Sequence, residues 1–315
     1  MEHYVTLFDS AFLPQGLALQ ASLERHGRPY TLWILCVDAD AFRVLTRLDL
    51  PHVRLLSLDQ LETDELRRVK PTRTRGEYCW TLTPFAPRFV FEADSTVRRV
   101  TYLDSDLWFR GSPLPIFREF EASGKSVLIT DHEYAPEFDQ SATSGKYCVQ
   151  FMTFVQEKSE RVRQHWEAQC LEWCYARFEA NKFGDQKYLD EWPQRFPDDV
   201  YVLQNGRLLL APWNAVRGVA GCTVLYHFQG LRLNADRVRF SPDYHLPAAV
   251  IRELYEPYVD ELRTAVRTLE SVGWSLRDQI GGSGTAQRFM LVLKELKRTC
   301  EKIVTRQQAR IRRAA

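Results

Sequence analysis

The stretch 99-RVTYLDSDLWF-109 decides the reading of this chain. Val100, Thr101, Tyr102 and Leu103 make an apolar, strand-forming run that ends in two carboxylates one residue apart, Asp104 and Asp106. Side chains at i and i+2 of an extended backbone project to one side, and like charges that close raise each other's pKa unless something positive lies between them. A divalent cation answers that need, because hard cations take carboxylate oxygens. Alone, D-x-D is a weak sign, since acids after strands also cap turns and helices. Its continuation, 107-LWFRGSPL-114, is apolar rather than a solvated turn, and this favours the metal reading.

Upstream of that stretch the pattern alternates. Strand 4–9 leads to a helix from about Pro14 to His26 stopped at Gly27, then come strand 31–37, a short helix, strand 53–58 and a helix over 59–69. Strands that read as nearly continuous apolar runs and alternate with helices predict an α/β fold with a mostly parallel sheet between helices. Ligands of such sheets bind beyond the carboxyl ends of the strands, where Asp9, Asp38 and the Asp104/Asp106 pair stand. Downstream, strands 126–131, 147–155, 200–204 and 222–230 are expected, with a helix over 158–179 and another over 248–271. The glycine run 281-GGSG-284 reads as a hinge before a last amphipathic helix.

Composition bounds the function. The 315 residues are 45% hydrophobic and 26% charged with a net charge of +1, an ordinary globular balance that gives no overall reason to expect nucleic acid. Seven scattered cysteines without a CxxC pair argue against a disulfide framework or zinc knuckle and read as reduced thiols; Cys170 and Cys174 lie one helical turn apart and could share a metal, but the apolar face Val162, Trp166, Cys170 and Trp173 favours packing. Met1 runs straight into 4-YVTLF-8 without a leader pattern, and no apolar run approaches membrane-spanning length, so a cytoplasmic protein is expected. Residues 286–315 hold nine Lys or Arg against two Glu, with Phe289, Leu293, Leu296, Cys300 and Ile303 on one seam. Such a helix suits an anionic membrane surface or docks on its own domain with a solvated basic face.

The ordered set 4-YVTLFDSAFLPQGLALQASL-23, 102-YLDSDLWF-109, 184-GDQKYLD-190, 213-WN-214 and 227-HFQG-230 resembles the GT-A nucleotide-sugar glycosyltransferases, above all the retaining family 8 enzymes and their bacterial polysaccharide relatives. The likeness spans roughly residues 1 to 245, which implies a catalytic domain over 1–245 and a helical C-terminal extension over 246–315. It implies that the end of the first strand (Thr6, Phe8, Asp9) holds the nucleotide base. It likewise implies that Asp104, Asp106 and His227 bind Mn2+ or Mg2+ bridging the donor diphosphate, with Ser105, Gly230 and Arg232 lining the donor site. Asp185 and Gln186 match the family's DQ motif near the anomeric carbon, and Asp185 reads equally well as a helix cap. Asp131, Trp213 and Asn214 are candidate sugar or acceptor contacts, an aromatic ring beside an amide suiting a sugar; a turn anchored by a buried indole fits the last two as well.

The chain also departs from the family. Cys148 and Gln150 stand in 147-YCVQ-150 where relatives carry the Asn and Gly of YNxG, and 78-YCWTLTP-84 offers Thr81 and Thr83 where an Arg near the diphosphate is usual. The resemblance implies a metal-dependent enzyme moving a hexose from a nucleotide diphosphate sugar, a UDP-sugar first of all, to a glycan or lipid-linked acceptor with retention. Two other classes stay open: a non-catalytic nucleotide-sugar binding protein, and a D-x-D phosphotransferase. A haloacid-dehalogenase motif would follow D-x-D with Thr or Val, which Leu107-Trp108 does not supply.

Overall fold

The computed structural model describes residues 1–219, 221–234 and 237–276. Eight strands carry the main architecture: β1 (Glu2–Phe8), β2 (Tyr30–Cys36), β3 (Val53–Ser57), β4 (Arg99–Leu103), β5 (Leu107–Phe109), β6 (Val127–Asp131), β7 (Tyr147–Val155) and β8 (Val200–Val202). Seven of them form one sheet in the order β3-β2-β1-β4-β7-β6-β8. β3, β2, β1 and β4 are mutually parallel, as are β6 and β8, while β7 runs antiparallel to both β4 and β6. The parallel half is the alternating half of the sequence, where each strand must return through a helix crossover. The antiparallel strand enters where that alternation fades.

β5 leaves this sheet. It pairs antiparallel with β10 (Leu225–His227), which pairs parallel with β9 (Leu209–Leu210), so the D-S-D turn links a large sheet to a small one. A final hairpin joins β11 (Arg232–Asn234) to β12 (Arg237–Arg239).

Two apolar layers cover the main sheet. One gathers Val5, Leu35, Tyr102, Val149 and Met152 with Phe85, Phe89 and Trp166 from helices on that face. The other gathers Tyr4, Phe8, Ile34, Leu103 and Phe151 with Leu17 and Leu23 of the Leu13–His26 helix and Phe117 and Phe120 of the Leu114–Ser123 helix. In β1, β2 and β4 alternate residues go to opposite faces, the period-2 consequence of a strand buried on both sides, whereas along β7 the alternation slips, Val149 and Met152 sharing the face opposite Phe151 where the β6–β7 register shifts. The Ala248–Ser271 helical run, which includes a π-helical turn over Ile251–Tyr255, places Leu254, Tyr258 and Leu262 against Tyr226 and Phe228. Arg25 pairs with Glu261 at 2.6 Å, and Trp274 Nε1 donates to the Ser10 carbonyl at 3.2 Å.

Several boundaries differ from the sequence expectation. The helix expected over 158–179 is Glu160–Glu172, because Trp173 turns extended and Ala180 and Asn181 take positive φ. Trp173 and Cys174 are buried all the same, so their apolar character reflects core packing away from the helix. The strand expected over 222–230 contracts to β10. The 281–284 glycine run and the basic helix from 286 lie outside the described residues. Among the described residues no helix is long and apolar enough to cross a membrane.

Candidate active site

The three residues singled out as metal ligands converge although 121 positions separate two of them in sequence. Asp104 follows the last residue of β4, Asp106 precedes β5, and His227 ends β10 opposite Leu107. Each offers one donor atom, and these atoms lie within 4.8 Å of one another. His227 Nε2 stands 3.0 Å from Asp106 Oδ1 and 3.7 Å from Asp104 Oδ2. Two hard carboxylate oxygens and one imidazole nitrogen, meeting at a half-buried point with no lysine or arginine salt bridge to either acid among the described residues, are a donor set that could hold a divalent cation.

The electrostatics agree. Burial, with the neighbouring Asp106 charge, pushes Asp104 up to about 6. Burial pushes Asp106 the same way, but His227 outweighs it and holds the carboxyl below its ordinary range. His227 itself rises well above its usual value: burial opposes its charge, and the Asp106 carboxylate overcomes that. Two acids and one imidazolium leave a net negative site.

A buried polar chain supports the cluster from behind. The Tyr102 hydroxyl donates to Asp104 Oδ1 at 3.0 Å, and the Thr83 hydroxyl interacts with both Tyr102 and Asp185. Asp185 is 3% exposed, its Oδ2 has no hydrogen-bond partner among the described residues, and burial followed by the Asp104 charge pushes its carboxyl up to about 8. Its main-chain carbonyl accepts from Trp166 Nε1 at 2.8 Å, which pins the segment to the core. Gln186 turns away from this chain, donating from Nε2 to the Ser144 carbonyl at 2.6 Å. Both threonine hydroxyls donate to main-chain carbonyls four residues back, Thr81 to Glu77 at 2.8 Å and Thr83 to Cys79 at 3.2 Å, and it is Thr83 that also meets Tyr102 and Asp185.

At the far end of the strand edge, Asp9 accepts from the Ala11 N–H at 2.9 Å and pairs with Arg75, which also reaches Asp38 at 2.5 Å. Asp38 caps the Ala39–Leu48 helix through the Ala41 N–H and accepts from both the backbone and the hydroxyl of Ser10. Thr6 is buried with its hydroxyl unpartnered, and Phe8 packs into the core over Gly16, where an added Cβ would come within 2.3 Å of the Phe8 ring. Ser105 lies in the turn between the two acids.

Gly230 is required twice over: its φ is +80°, and a Cβ there would sit 2.8 Å from Ser241 Cβ. Arg232 lies over the Phe12 ring at 5.4 Å, and its charge helps hold Asp106 low. Asp131 accepts from the Glu133 N–H at 2.8 Å. Trp213 Nε1 and Asn214 Nδ2 both donate to the His132 carbonyl, at 2.7 and 3.1 Å, and Asn214 Oδ1 accepts from the Ala211 N–H. These two residues brace the turn, and the Trp213 ring meets the His227 ring edge-on at a centroid distance of 5.5 Å.

Three residues at or near the strand ends carry no local sequence signal: Arg75, His132 and, in its side-chain role, Gln150, whereas Tyr102 stands two residues from Asp104 on the same side of the strand. Cys148 is buried beside His132 and His227; burial works to raise its thiol, but the two imidazoles bring it down to about 7, whereas burial pushes Cys36 and Cys79 up to about 12.

No known family profile matches the chain. The uncharacterized proteins YfnF and YfnD of Bacillus subtilis are 29% and 27% identical to it, each across 85% of this chain and across 94% and 91% of their own lengths. Among solved structures, the galactosyltransferase LgtC in complex with donor and acceptor sugar analogs superposes with a TM-score of 0.54 at 12% identity, covering 83% of this chain and 95% of LgtC. The WbbM bifunctional glycosyltransferase gives 0.54 at 14% identity over 85% of this chain and 50% of its own. Mouse xyloside xylosyltransferase 1 gives 0.50 at 16% identity over 72% and 97%. At these identities the likeness establishes the fold: the chain has the GT-A glycosyltransferase architecture.

Proposed function

We propose that this protein is a metal-dependent glycosyltransferase that moves a hexose from a nucleotide diphosphate sugar, a UDP-sugar first of all, to a glycan or lipid-linked acceptor with retention of configuration. The observation that carries this reading is the meeting of Asp104, Asp106 and His227 where the main sheet passes into the small one, with the buried carboxyl of Asp185, one oxygen of it unpartnered among the described residues, beside them. Asp104, Asp106 and His227 would hold Mn2+ or Mg2+. A bound cation there supplies Lewis-acid stabilisation of the charge on the departing diphosphate.

The chain's own groups do the rest. Arg232, charged and close to Asp106, is placed to meet phosphate oxygens, for which a guanidinium is a good fork. Gly230 takes the left-handed turn before it, against which Ser241 packs. Asp185 faces the site without a polar partner on one oxygen, so positive charge arriving there draws its proton off and leaves a fixed carboxylate to stabilise charge developing at the anomeric carbon. Gln186, held by the Ser144 carbonyl, shapes the wall behind the sugar. Asp9, beyond β1, is the base contact in this reading, and Trp213 and Asn214 brace the loop toward the acceptor side.

The test is a panel of nucleotide sugars incubated with Mn2+ and scored for release of the nucleoside diphosphate, with and without acceptor glycans. Turnover that stops on chelation supports the reading. Full turnover in EDTA, or release of inorganic phosphate instead of nucleoside diphosphate, overturns it.

A further inference from the structure

Gln150 occupies β7 one residue before Phe151, which pairs with Leu103 of β4, and it touches both halves of the metal cluster. Its main-chain carbonyl accepts from the Asp104 N–H at 3.0 Å. Its side-chain Oε1 lies 3.0 Å from His227 Nδ1. Gln150 and His227 are buried, 2% and 5% exposed, so neither end of that contact exchanges freely with water.

A histidine ring can turn over about its Cβ–Cγ bond, which exchanges nitrogen for carbon on both edges. In the orientation present here Nε2 faces the two carboxylates. In the turned ring a carbon would face them and the donor set would lose its nitrogen. Trp213, edge-on to the ring, restricts its tilt but cannot tell nitrogen from carbon. An amide oxygen can, since it accepts from Nδ1–H and gains little from C–H. A proton held at Nδ1 also leaves the Nε2 lone pair free for a cation.

We propose that Gln150 is a positioning residue for metal binding: its side-chain oxygen holds the Nδ1–H of His227 so that Nε2 points at the cation position, while its main-chain carbonyl fixes the backbone of Asp104. The inference rests on the metal-site reading above. It also gives a role to one departure of this chain from the YNxG pattern, because a glycine at this position has no side chain with which to orient the imidazole.

The experiment is Mn2+ titration calorimetry on the full chain, for the wild type, Gln150→Leu and Gln150→Glu. Leucine keeps the volume and the main-chain bond to Asp104 but removes the acceptor, and Mn2+ affinity is expected to fall about 10- to 100-fold. Glutamate keeps an acceptor, and affinity is expected to stay at or above that of the wild type. Nitrogen-detected NMR of the Mg2+-loaded protein, with the His227 signals identified by their loss in His227→Gln, should show the Nδ1–H form in the wild type and its loss of dominance in Gln150→Leu. Unchanged affinity and tautomer in Gln150→Leu overturn the inference. Equal weakening in both variants, with equal loss of melting temperature, overturns it in favour of simple packing. A folded wild type that binds no Mn2+ defeats the metal-site reading itself, and the inference with it.

Discussion

Two pairs of carboxylates stand at strand ends in this molecule, and they are partnered in opposite ways. Asp9 and Asp38, beyond β1 and β2, are occupied: backbone N–H groups of Ala11, Ala41 and Ser10 use their oxygens, and Arg75 bridges them. Asp104 and Asp106, around the β4–β5 turn, meet a tyrosine hydroxyl and an imidazole besides the main-chain N–H of Asp106 itself. A guanidinium stays charged at any ordinary pH, whereas an imidazole can give up its proton. The first pair is therefore closed by a permanent internal cation. The second keeps its place for an exchangeable one. An acidic pair at a strand end is common to both, and only the partners separate a pair already bridged by a cation of the chain from one open to a metal.

The largest expected effect tests that separation directly. Asp104→Asn and Asp106→Asn should each lower turnover by about 10²–10⁴ and abolish calorimetric Mn2+ binding, whereas Asp38→Asn should leave Mn2+ binding intact. Loss of Mn2+ in Asp38→Asn as well would erase the distinction. Next in size, Asp185→Asn should cut kcat by about 10²–10³ while changing the affinity for the nucleoside diphosphate little, because its carboxylate is needed mainly as charge develops. A variant that loses nucleotide affinity with kcat unchanged would place Asp185 among the binding groups instead.

The third expectation concerns pH. His227 is raised well above its ordinary value in the free site, so a cation must displace its proton, and Mn2+ affinity should increase as pH rises above 6.5 by up to about tenfold per unit. Below about 6, where Asp104 also takes up a proton, the dependence should steepen. Mn2+ titrations at a series of pH values read the slope directly; a flat profile would mean that His227 is neutral without metal. The smallest effect belongs to Arg75→Ala. Its guanidinium is half exposed, so the melting temperature should move by no more than about 1 kcal/mol of stability implies, with Mn2+ stoichiometry still one. A second equivalent of Mn2+ would show that Arg75 alone keeps the Asp9/Asp38 pair closed.

How far these features could be read in advance follows from the range of the interactions. The first three strands, their crossover helices and the D-S-D turn are local patterns of apolar period and charge, and the structure keeps them within a few residues. His227 belongs with Asp104 and Asp106 only through an ordered resemblance, since nothing within its own stretch marks it as more than a buried histidine. Arg75 and Gln150 were illegible for one reason: each acts on a partner that the fold brings near, Arg75 reaching Asp38 from 37 positions away and Gln150 reaching His227 from 77. The overlong helix beyond Glu172 is the converse failure, apolar residues at helical spacing that are buried by loop packing instead.

The passage of the D-S-D turn from one sheet to another has a mechanical side. Asp104 rides on the seven-stranded sheet, while Asp106 and His227 ride on β5 and β10 of the small one. A cation gripped by all three would staple the two sheets across a long stretch of chain, much as a covalent cross-link closes a loop. Loading the site should then slow amide exchange along β5 and β10 more than along β2 or β3, making rigidity at the seam between the sheets a report on occupancy at the turn.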